Sequence, residues 1–225
     1  MELTAAAAWL GDVFSGIDLG ILSLLHTLAE HAGGVLTPLA RLVTLLGEKG
    51  IVFFLISLIL MCRAKTRPLG VCMFGAVCCG ALITNIVLKD WVARPRPFET
   101  LAVYRAWWIS VGAPAEDGFS FPSGHVTAAA AGMASLCFMR GRKWAPAAVG
   151  VVLLMALSRN YLMAHYPSDV IAAAAIGVLS AFVAYLITMQ IFSFLVKNSK
   201  ENRFAQFVLN YDLPVPAFLT YKGKH

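Results

Sequence analysis

The stretch Phe121–Gly132, FPSGHVTAAAAG, decides how this chain is read. Its first half is a polar turn, Pro122-Ser123-Gly124-His125, and its second half is a run of alanines. Pro122 stops a helix from starting earlier, Ser123 suits the position before a first helical turn, and Ala128 to Ala131 carry a helix onward. A histidine at that junction raises two questions. One is what the helix lies in, the other what the histidine is for.

Composition answers the first. Of 225 residues, 59% are hydrophobic and only 13% are charged, with a mean hydropathy of +0.74. So little polar surface cannot cover a water-facing exterior, which points to an all-α, polytopic membrane bundle. The formal net charge of +6 would suggest nucleic acid in a soluble chain. Here Lys and Arg cluster in short loops, as the positive-inside rule expects, so no nucleic-acid partner is expected. Cys62, Cys72, Cys78, Cys79 and Cys137 all lie in apolar runs, without zinc-ligand spacing and in odd number. They read as small buried hydrophobes rather than a disulfide framework. The start, MELTAAAAWLGD, lacks the basic region of a cleavable signal.

Five apolar segments follow one another: Gly50–Cys62, Leu69–Leu88, about Ser123–Met139, about Trp144–Met163 and Asp169–Val196. The first is short of the roughly 20 residues that cross the hydrocarbon, unless its helix begins near Leu45. Gly70, Gly75, Gly80, Ala128 to Ala131 and Ala172 to Ala175 offer the small surfaces that let helices approach closely in lipid. Residues 1–45 are apolar but interrupted by Asp12, Asp18, His26, Glu30 and His31, and Gly33, Gly34 and Pro38 are expected to break any long helix. They read as amphipathic helices on the outer membrane face. The alternative is a sixth span around Ile17–Leu28. The organisation is thus an interfacial segment (1–45), a transmembrane core (46–196) of five to six spans in all, and a polar cytoplasmic tail (197–225) ending in YKGKH.

Loop charges orient the spans. Arg63 to Arg67, Arg140 to Lys143, and Lys197, Lys200 and Arg203 fall on one side, expected to be the cytoplasm. The opposite side then carries the Lys89–Pro122 loop and the turn near His165. Lys89, Arg94, Arg96 and Arg105 in that loop run against the rule, and a bound anion would account for them.

Three short motifs sit on that outer side: KDWVARPRP (Lys89–Pro97), PSGH (Pro122–His125) and SRNYLMAHYPSD (Ser158–Asp169). A helix opening at Ser123 and Gly124 presents free N–H groups and a positive dipole end to an anion. Lys89, Arg96 and Arg159 add fixed charge, the arginines as planar forks. Asp169, four residues after His165, can accept from one imidazole nitrogen and leave the other free to attack. His125 can protonate a leaving oxygen. Together these groups would perform two-step phosphoryl transfer through a phosphohistidine, without a metal or other cofactor.

Taken singly, each residue has a plainer explanation: His125 as an interfacial cap, Arg159 as a snorkelling anchor, Asp169 as a helix-start charge, Pro97 and Pro122 as punctuation. Trp91, Trp107 and Trp108 read as an interfacial aromatic belt. His26, His31 and His225 have no partner that the sequence names and are assigned no role. The plain explanations do not account for three spacings at once on one membrane face.

In those spacings the chain resembles the phosphatidic acid phosphatase type 2 family, which also contains the vanadium haloperoxidases. The family signature is Lys, six residues, Arg-Pro; then Pro-Ser-Gly-His; then Ser-Arg, five residues, His, three residues, Asp. Here it is Lys89 with Arg96-Pro97, Pro122 to His125, and Ser158-Arg159 with His165 and Asp169. The resemblance covers about Leu69–Val196. It implies His165 as nucleophile with Asp169 orienting it, His125 as general acid, and Lys89, Arg96, Ser123, Gly124 and Arg159 as phosphate ligands. Arg94 lies inside the first motif but outside its fixed positions, and is a candidate substrate or headgroup contact.

The resemblance and the depth of the motifs imply a hydrolase for a lipid phosphate or pyrophosphate, such as undecaprenyl pyrophosphate, phosphatidylglycerol phosphate or phosphatidic acid. An outward site in a bacterial cytoplasmic membrane would suit recycling of a polyprenyl pyrophosphate carrier. Membrane lipids are the expected surroundings, with no obligatory protein partner. The alternatives are a lipid phosphotransferase using the same phosphohistidine, and a non-catalytic lipid-binding protein. Intact His125, His165 and Asp169 weigh against the latter. A haloperoxidase is disfavoured, because the family's haloperoxidases are soluble.

Overall fold

The computed structural model describes residues 3–114 and 116–213. Among them are ten α-helices and no strand: α1 (Ala5–Leu46), α2 (Ile51–Met61), α3 (Arg67–Leu82), α4 (Lys89–Val92), α5 (Pro97–Thr100), α6 (Ala102–Ser110), α7 (Gly124–Arg140), α8 (Ala145–Tyr161), α9 (Pro167–Lys197) and α10 (Arg203–Asn210). A π-helical stretch, Ile83–Leu88, joins α3 to α4. The last four apolar segments of the sequence thus become α3 with its π-helical end, α7, α8 and α9.

The N-terminal region differs from expectation. Gly33, Gly34 and Pro38 do not end the helix. α1 runs on for 42 residues and bends at Ala32, where φ is −132° and ψ is 19°. Glycines and a proline weaken the hydrogen-bond ladder, but packing along α8 carries the helix through, so the result is a kink. Thr37 and Thr44 of α1 hydrogen-bond Tyr161 (2.7 Å) and Ser158 (3.2 Å) of α8. Nor does α2 begin near Leu45. Lys49 and Gly50 take left-handed conformations (φ 49° and 70°), turn the chain, and let α2 start only at Ile51.

α3, α7 and α9 pack together as the core of the bundle. Cys72, Ala76, Val126, Ala129, Ala131, Ala173 and Ala181 are wholly enclosed there. The α7–α9 approach is so close that a Cβ on Gly177 would lie 2.5 Å from the Thr127 carbonyl oxygen and 2.6 Å from Ala130 Cβ. Small residues thus bring backbone against backbone, which substitutes for a hydrophobic drive that lipid does not supply. Thr84 Oγ1 donates to Thr127 Oγ1 (3.1 Å), tying the π-helical stretch to α7. Outward, α9 shows Leu179, Ile187 and Phe194, each more than half exposed, as a lipid-facing surface would.

The basic clusters gather at one end. Arg140 donates to the Lys65 carbonyl (3.2 Å), and buried Arg67 donates to the carbonyls of Met61 (2.8 Å) and Tyr211 (2.6 Å). Asp212 accepts from the Ala64 N–H (2.6 Å), so the described part of the tail folds back on the α2–α3 turn. YKGKH lies outside the described residues. Three helical stretches, Ala5–Met61, Arg67–Thr100 and Pro167–Lys197, are long and apolar enough to cross a membrane. The chain is a multi-pass membrane protein.

Candidate active site

All three motifs meet at the opposite end of the bundle. The first arrives on the arm of α3. Its π-turns change the phase of the helix, and Asn85 and Lys89 come to line the same cavity. The second opens α7. Ser123 sits at the N-cap in an extended conformation (φ −75°, ψ 113°), and Gly124 is the first helical residue. The third is the α8–α9 turn. Met163 takes a left-handed conformation (φ 54°), the Ala164 N–H returns to the Arg159 carbonyl (3.1 Å), and Asn160 Nδ2 donates to the His165 carbonyl (2.9 Å). That tight turn sets buried His165 beside the start of α9.

The cavity holds about 760 Å³, and Lys89, Arg96, Glu116, Gly124, His125 and His165 all line it. The α1–α2 corner closes one side, with Glu48 Oε2 at 3.4 Å from His125 Nε2. The corner packs tightly. A Cβ on Gly47 would lie 2.3 Å from Met155 Cε and 3.2 Å from His125 Cδ2.

Glu116 was not singled out from the sequence, yet it is central. Its carboxylate joins Arg96 Nη1 (Oε2, 3.0 Å) to Arg159 Nη2 (Oε1). Burial would raise its carboxyl pKa, but Arg159 and Arg96 outweigh that and hold it below the ordinary carboxylate range. Two guanidinium groups thus already grip one anion from two sides. Ser123 Oγ, Arg159 Nε and Arg159 Nη1 are buried with no protein partner. Buried polar groups are costly unless paired, so this donor set fits a further anion. Arg96 differs: it also donates to the carbonyls of Gly118, Asp117 and Ala164, each at 2.9 Å, and pins the 117–118 loop over the site.

His165 Nδ1 lies 2.6 Å from the Ser120 carbonyl oxygen. A carbonyl only accepts, so Nδ1 carries the proton and Nε2 keeps its lone pair. Burial first, then the charges of Arg159 and Arg96, push the imidazole well below its ordinary pKa, so it is neutral near pH 7.

Two expectations are corrected here. Asp169 Oδ2 is 3.9 Å from His165 Nδ1, too far for a hydrogen bond. Asp169 instead accepts from Ser120 Oγ (2.5 Å) and the Tyr166 N–H (2.9 Å), and so reaches the imidazole through Ser120. Arg94 is not a contact of this cavity but lines a smaller one of about 250 Å³ beside Asp18 and Tyr166. It is 4% exposed and is spent on Asp169 Oδ1 (2.6 Å), Ser168 Oγ (2.7 Å) and Asp18 Oδ2 (2.8 Å). Of the four cations in the loop, only Lys89 and Arg96 line the cavity, and Arg105 is exposed. Trp107 stacks on His26 (4.6 Å) and Trp108 on Phe98 (4.9 Å), while Trp91 is exposed.

Comparison with known proteins bears on this arrangement. A family model described as the PAP2 superfamily matches residues 67–193, more than half of the chain. The chain is 33% identical over 122 residues to a lipid A 1-phosphatase of Rhizobium etli, covering 51% of this chain and 50% of that protein. It is 30% identical over 111 residues to phosphatidylglycerophosphatase B of Bacillus subtilis, covering 45% and 49%. In each case the chain spans about half the length of the curated relative it matches. Among solved structures, LpxE of Aquifex aeolicus superposes with a TM-score of 0.61 over 75% of this chain and 94% of that one. A transmembrane PAP2 type phosphatidylglycerolphosphate phosphatase of Bacillus subtilis superposes with 0.62 over 88% and 93%. Both are 22% identical, a likeness of fold.

Proposed function

The chain belongs to the PAP2 superfamily, and on that premise we propose that it is an integral membrane lipid phosphatase acting through a phosphohistidine, without a metal. The observation that carries the reading is the Glu116 carboxylate between Arg96 and Arg159, an anion seat within the cavity that His125 and His165 also line. In the proposed reaction His165 Nε2 attacks phosphorus and the bond to the lipid oxygen breaks. His125 donates a proton to that oxygen. Water then cleaves the phosphorus–nitrogen bond and yields its proton to His125, restoring both residues. Lys89, Arg96, Arg159, Ser123 and the α7 N-terminus at Gly124 hold the phosphoryl oxygens as charge shifts.

The substrate is a membrane lipid bearing a phosphate or pyrophosphate: a polyprenyl pyrophosphate such as undecaprenyl pyrophosphate, phosphatidylglycerol phosphate or phosphatidic acid. The names of the relatives support phosphatidylglycerol phosphate and add lipid A 1-phosphate. The membrane arrangement that suits this chemistry has α3, α7, α8 and α9 crossing, the shorter α2 packed beside α3, the basic end in the cytoplasm and the cavity outward, at headgroup depth. α7 and α8 are each about 25 Å long, close to the ~30 Å hydrocarbon core. α1 then lies along the outer face.

The test is phosphate release in detergent micelles with EDTA present, comparing wild type with His165→Ala on those four lipids. Release that survives chelation and disappears in the variant is expected. No release from any lipid by folded wild type would overturn the hydrolase reading and favour phosphotransfer or binding alone.

A further inference from the structure

Behind His165, away from the cavity, lies a buried polar cluster that reaches outside the family-matched region. Asp18 stands in the middle of an apolar helix, 2% exposed. Its Oδ1 accepts from the Ser168 N–H (2.9 Å), and its Oδ2 accepts from Ser168 Oγ (2.8 Å) and Arg94 Nη2 (2.8 Å). Arg94 Nη1 continues to Asp169 Oδ1 (2.6 Å), and the guanidinium lies 3.9 Å from the centroid of the Tyr166 ring. Asp169 then binds Ser120 Oγ, and the Ser120 carbonyl holds His165 Nδ1. The chain of contacts from Asp18 to the imidazole is unbroken.

We infer that Asp18, acting through Arg94 and Asp169, is a positioning residue for His165, so that the N-terminal helix belongs to the catalytic apparatus. Charge gives the reason. One arginine between two carboxylates leaves a buried net charge of about −1 directly behind the imidazole. Without Asp18, Arg94 would neutralise Asp169 alone and that surplus would vanish. The surplus matters only when His165 becomes positive, as it does on forming the phosphorus–nitrogen bond of the proposed reaction, on which this inference rests. Asp18 does not line the cavity that His125 and His165 share, so an effect on the chemical step separates from binding there.

The test is Asp18→Asn, with steady-state phosphate release and ¹⁵N-histidine NMR measured on detergent-solubilised protein. The expected result is kcat down by about ten- to hundredfold with KM little changed. The ¹⁵N signal of His165, assigned with His165→Gln, should move from the Nδ1–H tautomer of the wild type toward a mixture. Asp18→Glu keeps the charge and should recover much of kcat, and it serves as the working variant if the Asn form does not fold. Unchanged kcat and an unchanged His165 signal would overturn the inference, as would an Asp18→Glu protein no better than Asp18→Asn. If the wild type hydrolyses no lipid, the hydrolase reading fails by itself. The NMR comparison then decides whether Asp18 positions the imidazole.

Discussion

Arg94 and Arg96 stand two positions apart on the short segment 93–96, and both are buried, yet they serve opposite sides of His165. Arg96 faces the cavity, where Lys89 and Arg159 bring further positive charge and Glu116 is the shared counter-ion. Arg94 faces α1 and the start of α9, where Asp18 and Asp169 outnumber it. The imidazole therefore has a positive field in front and a negative one behind. The first suits an incoming phosphate. The second suits the positive charge that the imidazole acquires when it takes the phosphoryl group. Residue type alone does not tell these tasks apart; the count of opposite charges around each arginine does.

The sharpest way to break this comparison is to remove one arginine from each side. Arg159→Ala should lower phosphate release by about 100- to 1000-fold and leave the melting temperature close to that of wild type, because two of its three guanidinium nitrogens have no protein partner. Arg94→Ala should instead unfold easily, losing about 3–5 kcal/mol by leaving two buried carboxylates without their cation. Equal melting temperatures for the two variants, followed in detergent by intrinsic fluorescence, would show that the two sides are not distinct. Arg96→Ala should be intermediate in both, since it grips Glu116 and also pins the 117–118 loop.

Glu116→Gln sharpens the picture of the positive side. Removing the internal counter-ion should make inorganic phosphate a better inhibitor by about tenfold, read from its inhibition constant. The smallest effect concerns pH. The imidazole of His165 is held below its ordinary pKa when folded, so below about pH 6.5 the unfolded chain binds a proton that the folded chain refuses. Stability should fall as the pH drops through that range, by at most about 1.4 kcal/mol per pH unit from this group. His165→Gln should flatten that slope in melting curves recorded from pH 7 to pH 5.

The sequence disclosed what repeats along the chain or has a fixed spacing. Long apolar runs became α3, α7, α8 and α9, and the three motifs converged because each lies at a helix end on the same side. What depends on distant packing was hidden. Gly33, Gly34 and Pro38 argue locally for a break, but contacts with α8 outweigh propensity and leave a bend. The partner of His165 Nδ1 is a backbone carbonyl, which any residue could supply, so nothing in the letter Ser at 120 announces it. The π-turns before Lys89 leave no compositional trace. Asp18 was readable as an anomaly, because a carboxylate in an apolar helix needs a partner. Which partner it has could not be read, since the residues lie far apart in the chain.

That separation also orders events in time. The bond from the Ser168 N–H to Asp18 spans 150 positions, so a ribosome delivers one partner long before the other. Until α9 emerges, Asp18 can meet Arg94 but has neither Ser168 nor Asp169 to complete the cluster. Contacts so remote in sequence form late, after the local helices exist. The same joint that ties the first helix to the last long one therefore dates the birth of the site: a partly synthesised chain has the cationic ligands of Lys89 and Arg96 but no assembled nucleophile.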